Sequence, residues 1–137
     1  MDDFIPSIKV AFYISADKFD IDEVTRKVGI NPTGTRTNAD FPEQSIAAGV
    51  AKTIWWFEVE EENCIAVSIL FKKLLIILDS KSKIINAICN DYGLETGFEV
   101  VIHCQDGNNP ELVLTREIVA FAASINAEIG FDLYCYE

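Results

Sequence analysis

The chain has 137 residues, half of them apolar, and a formal net charge of −11 at pH 7. This length and composition predict one domain, residues 1–137, with a substantial hydrophobic core, and they exclude a disordered chain. The acidity argues against binding to nucleic acid or to anionic membranes. It would steer the chain toward a basic partner, but many soluble domains are acidic without having one.

The lack of a recognisable targeting signal and the spacing of the cysteines predict a cytoplasmic protein. The N-terminus, MDDFIPSIKV, is acidic rather than basic, which predicts no signal peptide. The most apolar stretch, residues 65–78, contains two lysines and is too short to span a membrane. The cysteines lack CxxC spacing, so we expect reduced, mostly buried thiols. They are Cys64, Cys89, Cys104 and Cys135.

The first two elements are a strand and a short helix. Residues 7–15 alternate apolar with mixed side chains, which predicts a strand with one face toward the core. Asp20, followed three residues later by Glu23, indicates a helix N-cap of the capping-box type. Gly29 supplies the left-handed residue that ends the helix, and Pro32 prevents the helix from resuming.

The middle of the chain combines a long connection with apolar segments. Residues 31–52 predict a loop with one helical turn at EQSIAAG, and such long loops are usually functional or mobile. Residues 53–62 alternate as a second strand. Residues 64–78 fit a helical stripe or a buried strand, and the two exposed lysines favour the helix. A break near residues 79–82 leads to a further helix that Gly93 ends.

The last third predicts a strand over 97–105, a short strand at ELVL, a helix capped by Thr115 and a final strand from residue 128. In the final strand the residues expected to face the core are Ile129, Phe131, Leu133 and Cys135. Every strand has one strongly apolar face. The sequence therefore predicts an α+β fold, with a mixed, largely antiparallel sheet of four or five strands and helices packed on one face.

No residue pattern predicts catalysis, a metal site or a cofactor. His103 is the only histidine, and its neighbour Cys104 must point to the opposite side of the strand, which excludes a Cys–His pair between them. One histidine and four scattered cysteines fall short of a zinc site. The glutamates that follow Trp56 are typical of a solvated strand edge. We therefore expect a protein that is not an enzyme.

The stretch GINPTGTRTNADFP, residues 29–42, has the composition of a phosphate-binding loop but not its order. A P-loop follows a strand and opens a helix, whereas Gly29 follows a helix and no lysine follows Gly34. Arg36 could still contact an anion with its neighbouring threonines. The alternative is a surface arginine in a turn-rich loop.

The outward face of the sheet is the candidate binding surface, because tyrosine and tryptophan are enriched at interface hot spots and acidic residues favour a basic partner. The candidate partner-binding residues, which include the arginine of the loop, are Tyr13, Arg36, Trp56, Glu58, Glu60, His103, Asp132, Tyr134 and Tyr136. Alternatively, residues 31–52 cover these aromatic side chains as a small second core. Either arrangement is compatible with a monomer or a homodimer.

Three segments together resemble a bacterial family, domain of unknown function 4279: DIDEVTRKVGINPT, the WWF strand, and the C-terminal helix leading into GFDLYCYE. The matching positions are Thr25, Val28 (where the family favours Leu), Gly29, Ile30, Pro32, Trp55 or Trp56, Asp132 and Tyr134. Similar small acidic proteins occur beside secreted toxins, including those of contact-dependent inhibition systems, as immunity proteins. The resemblance thus implies a protein that binds and blocks a cognate, basic, nuclease-like toxin domain. The alternative is a small-ligand or regulatory module that uses residues 31–52.

Overall fold

A computed structural model describes residues 4–137. The strands are β1 (Ser7–Ala16), β2 (Gly34–Arg36), β3 (Thr53–Glu62), β4 (Glu95–Gln105) and β5 (Glu128–Tyr136). The helices are α1 (Ile21–Val28), α2 (Glu43–Ala47), α3 (Val67–Leu78), α4 (Ser82–Tyr92) and α5 (Arg116–Ser124). Short 3-10 turns occupy Asn38–Asp40 and Asp79–Lys81.

The five strands form one mixed sheet in the order β2-β3-β1-β4-β5. The pairs β2–β3, β3–β1 and β1–β4 are antiparallel, and β4–β5 is parallel because α5 carries the chain back between them. Side chains from α1, α3, α4 and α5 pack with the apolar face of the sheet in one core. The predicted α+β fold, with its largely antiparallel sheet, is confirmed.

The helix-end signals around α1 act as the sequence indicates. Asp20 Oδ1 accepts a hydrogen bond from the Glu23 N–H at 3.1 Å, which satisfies one of the free amide groups of the first turn. At the other end Gly29 adopts a left-handed conformation, φ 75°, and its N–H donates to the Thr25 carbonyl. The motif that carries the family resemblance therefore ends α1 and directs the chain into β2.

Residues 67–78 form a helix, so the choice of helix over strand for the apolar segment is confirmed. Val67, Leu70, Phe71, Leu74 and Leu78 are buried and recur at the three- and four-residue spacing of one helix face. The other apolar residues of α3 are not needed to cover the sheet, and several of them remain exposed. They include Ile69, Ile76 and Ile77.

Three local expectations differ from the structure. ELVL is not a strand of the sheet, because Glu111 exchanges hydrogen bonds of 2.9 Å with Ile65 and Val67 at the start of α3. The connection 31–52 contains the strand β2, which is too short to show periodicity. The β5 side chains predicted to face the core lie on the helix side, but no helix of the described chain covers those beyond Ile129. Phe131, Leu133 and Cys135 are therefore exposed rather than buried.

Candidate functional site

The surface of the sheet opposite the helices, here called the open face, displays most of the candidate residues. Alternation brings them to one side, and the strand register makes them neighbours. Tyr13 lies opposite Trp56, and His103 lies beside Tyr134. The residues that define the open face are Lys9, Ala11, Tyr13, Ser15, Ile54, Trp56, Glu58, Glu60, Glu99, Val101, His103, Glu128, Asp132, Tyr134 and Tyr136.

The centre of the open face is a shallow depression of about 430 Å³ with Ala11 and Val101 among its lining residues. The segment 31–52 contributes Lys52 to the lining and does not cover it, so Tyr13 and Trp56 remain partly exposed. The alternative of a second core beneath that segment is therefore not what the structure shows.

Two glycines let the large aromatic side chains lie flat on the sheet. A Cβ atom at Gly34 would overlap the ring of Trp56, and one at Gly97 would overlap the ring and hydroxyl of Tyr13. Both glycines lie on strands next to the aromatic residue they accommodate. The two rings therefore lie over different neighbouring strands, Trp56 over β2 and Tyr13 over β4.

Each central aromatic residue is hydrogen-bonded to a carboxylate. Trp56 Nε1 donates to Glu58 Oε1 at 2.9 Å, and Lys9 Nζ lies 3.8 Å from Glu58 Oε2. The Tyr13 hydroxyl donates to Glu128 Oε1 at 3.1 Å. Burial, that hydrogen bond and nearby carboxylates raise the pKa of Tyr13 to about 12, so the phenol is protonated at neutral pH.

His103 belongs to an aromatic cluster at one end of the open face. Its ring stacks on Tyr134 with centroids 4.7 Å apart, and its Nδ1 lies 3.0 Å from the Tyr136 hydroxyl. The Tyr134 hydroxyl donates to Asp132 Oδ2 at 2.9 Å, which raises the pKa of that tyrosine. Cys104, on the opposite side of β4, is buried. The structure thus brings four of the candidate residues into one cluster.

A group of carboxylates borders the depression on the side of β5, one of the two edge strands of the sheet. Glu99, Glu128 and Asp132 lie on neighbouring strands, and within residues 4–137 no basic side chain lies within 4 Å of them. Burial raises the pKa of Glu99, and the charges of Asp132 and Glu128 raise it further. Alternation already places Glu99 and Glu128 on this face, but only the strand order shows that they adjoin Asp132.

Two candidates lie apart from the others. Glu60 is exposed near the end of β3, opposite Lys9 on β1. Arg36 lies on the edge strand β2, and its guanidinium stands 3.9 Å from the centre of the Phe41 ring. Because Arg36 pairs with Ile54, its side chain lies on the same side of the sheet as the open face. In the described chain no group of His, Cys, Asp or Glu side chains has the arrangement of a metal site.

The fold is that of a small α+β protein with a mixed five-stranded sheet. The family model described as Domain of unknown function (DUF4279) matches residues 6–136, so the chain belongs to that family. Comparisons with curated proteins and with solved structures found no significant match. In residues 4–137 no helix combines the length and the apolar character required to cross a membrane.

Proposed function

We propose that this chain is a cytoplasmic immunity-type protein that neutralises a cognate toxin domain by binding it through the open face. The observation that carries the proposal is a sheet surface that combines exposed aromatic residues with carboxylates and lacks a helical cover. Interfaces are enriched in tyrosine and tryptophan at their centres, and complementary charge accelerates encounter. The resemblance to immunity proteins found beside toxins supports the same proposal.

The geometry favours binding over chemistry. The His103 ring stacks on Tyr134, and its Nδ1 is engaged with the Tyr136 hydroxyl. The Glu58 carboxylate accepts a hydrogen bond from the Trp56 indole and lies 3.8 Å from Lys9 Nζ. These contacts instead fix the orientation of side chains that a partner would meet. A preorganised aromatic surface reduces the entropy lost on association.

The charge of the chain suits a basic toxin domain. A net charge of −11 accelerates association with a positively charged protein, and the carboxylates of the open face supply the local complement. A basic nuclease fits this description. The proposed mechanism is therefore steric and electrostatic: the open face covers a basic surface that the toxin needs for its substrate.

The experiment is coexpression with the protein encoded immediately upstream, which the proposal predicts to contain the toxin domain. We expect a stable complex and restored growth. Tyr134 and Tyr92 offer a matched pair because their exposed fractions are 43% and 45%, but Tyr92 lies on α4, away from the open face. Tyr134→Ala should weaken the complex about tenfold or more, and Tyr92→Ala should leave it unchanged. Equal effects of the two substitutions, or no complex, would contradict the proposal.

A second candidate function is the binding of a small anionic ligand beside residues 31–52. The stacking of Arg36 on Phe41 favours it, because the ring orients a guanidinium that is otherwise exposed. A panel of anions and metabolites should then contain a compound that raises the melting temperature of the wild type but not of Arg36→Ala. If no compound raises it, this second candidate is rejected.

A further inference from the structure

The edge strand β5 has an unpaired backbone. It is the last strand of the sheet, and in residues 4–137 no other strand pairs with its outer side. The Tyr136 carbonyl accepts a hydrogen bond of 2.6 Å from the Asp106 N–H on the β4 side. Successive residues of a strand direct their backbone groups to opposite sides. The odd-numbered residues of β5 therefore direct their N–H and C=O groups to the free edge.

Apart from the charges of Glu128 and Asp132, this edge lacks the features by which proteins usually prevent strand pairing. Edge strands are commonly short or carry lysine, proline or a bulge. At the other side of the sheet β2 has only three residues, but β5 has nine, without lysine or proline. A long regular edge of this kind is a template for an added strand.

The two faces of β5 define the chemistry that such a strand needs. On the helix side Phe131 and Leu133 are 46% and 53% exposed. On the open face Glu128 and Asp132 alternate with them, and the Glu99 carboxylate extends over Gly130, where a Cβ would lie 2.8 Å from its Oε2. Exposed apolar side chains thus lie on one face of β5, and carboxylates without a basic partner in the described chain lie on the other face.

We infer that β5 pairs with an extended segment of the partner in which basic residues alternate with apolar ones. The basic side chains would meet Glu99, Glu128 and Asp132, and the apolar side chains would cover Phe131 and Leu133. A second copy of this chain fits less well, because its β5 presents the same carboxylates to the same face. The inference rests on the proposed function and adds the mode of binding to it.

The first test uses a synthetic peptide, acetylated and amidated, that alternates lysine with valine over nine residues. Nuclear magnetic resonance should show slowed amide exchange at Ile129, Phe131 and Leu133 when the peptide binds. Two matched peptides serve as controls: one with the same composition in scrambled order, and one with glutamate in place of lysine. Equal binding of the scrambled peptide, or protection confined to another part of the chain, would overturn the inference.

The second test separates the backbone of β5 from its side chains. Leu133→Pro removes an N–H that points to the free edge, and the β4 ladder does not use this group. Leu133→Ala removes the side chain and keeps the N–H. Both variants should remain folded by circular dichroism, and proline should reduce affinity for the alternating peptide at least tenfold relative to alanine. Tyr134→Pro, which interrupts the β4 ladder, should lower the melting temperature more than Leu133→Pro.

The outcomes distinguish this inference from the proposed function. If the upstream toxin domain binds Leu133→Pro and Leu133→Ala equally well, the strand pairing is wrong and the immunity function stands. If that domain does not bind the wild type, the immunity function fails, and the peptide experiment alone decides about β5. A wild-type dimer that becomes monomeric in Leu133→Pro would replace the basic partner with a second copy and overturn the inference.

Discussion

At the scale of single residues, Gly97 determines where the Tyr13 ring lies. A methyl group at this buried position would overlap the ring, and the ring cannot move without breaking its hydrogen bond to Glu128. Gly97→Ala should therefore lower the free energy of unfolding by about 1–3 kcal/mol, as overpacking does elsewhere. Gly130→Ala is the matched control, because the one close neighbour of its added methyl is the terminal oxygen of the flexible Glu99 side chain, at 2.8 Å. If denaturant unfolding shows equal losses of unfolding free energy in both variants, Gly97 does not have this role.

The Tyr13 phenol makes stability depend on pH in the alkaline range. Its pKa is about 12 in the folded chain against an ordinary value of 10.0. Folding thus favours the protonated phenol. The contribution of this phenol to the free energy of unfolding is therefore complete below pH 10 and is lost as pH rises from 10 to 12. Tyr13→Phe should remove the last step of an ultraviolet titration of the four tyrosines, and its stability should fall less over this range. A wild type whose tyrosines all titrate near pH 10 would contradict this.

The four thiols should differ in reactivity. Cys64 and Cys104 are buried, and burial raises the pKa of the half-buried Cys89 to about 11, which lowers its thiolate fraction. Cys135 is exposed on the edge strand. A chromogenic disulfide reagent should therefore modify one thiol rapidly in the native protein and all four after unfolding. The rapid phase should be absent from Cys135→Ser, and its persistence there would contradict the assignment.

At the scale of the element, the caps of α1 explain why its bounds could be predicted from sequence. The Asp20 carboxylate bonds to an amide only three residues away, so no distant part of the chain is needed to place it. Asp20→Ala should cost about 1 kcal/mol of unfolding free energy, whereas Asp20→Asn, an equally good cap, should cost less than half of that. Unfolding in urea measures both. Equal losses would show that charge at the helix end, not the cap bond, matters.

Elements that depend on distant partners were predicted less well. Val67–Leu78 could be placed because its apolar stripe and its two lysines are both local features. The three residues of β2 pair with β3 through hydrogen bonds that only the folded chain brings together. ELVL has the composition of a strand, but its backbone bonds to the start of α3 instead. Alternation correctly assigned the faces of β5 but could not show where the helical layer ends.

In the candidate site, too, local sequence patterns were predictive and contacts between distant strands were not. Alternation alone assigns Tyr13, Trp56 and His103 to one face, because neighbouring residues of a strand point to opposite sides. It does not show which strands are adjacent, so the carboxylate group around Asp132 emerged only from the pairing of β4 with β5. The sequence thus predicts the composition of the open face, and the sheet order determines its arrangement.

At the scale of the whole molecule, acidity should limit stability at low ionic strength. The net charge of −11 produces self-repulsion that salt screens, and the ion pairs of residues 4–137 are too exposed to offset it. Raising NaCl from about 20 mM to about 500 mM shortens the screening length to roughly 4 Å, so the melting temperature should rise.

Two single substitutions at exposed positions test this origin of the salt effect. Glu62→Gln makes the net charge less negative by one unit and should raise the melting temperature in low salt. Lys83→Gln makes it more negative by one unit and should lower it. Both differences should shrink at about 500 mM NaCl, because screening weakens long-range repulsion. If the differences instead persist in high salt, local contacts of these side chains, rather than the charge of the whole molecule, set the melting temperature.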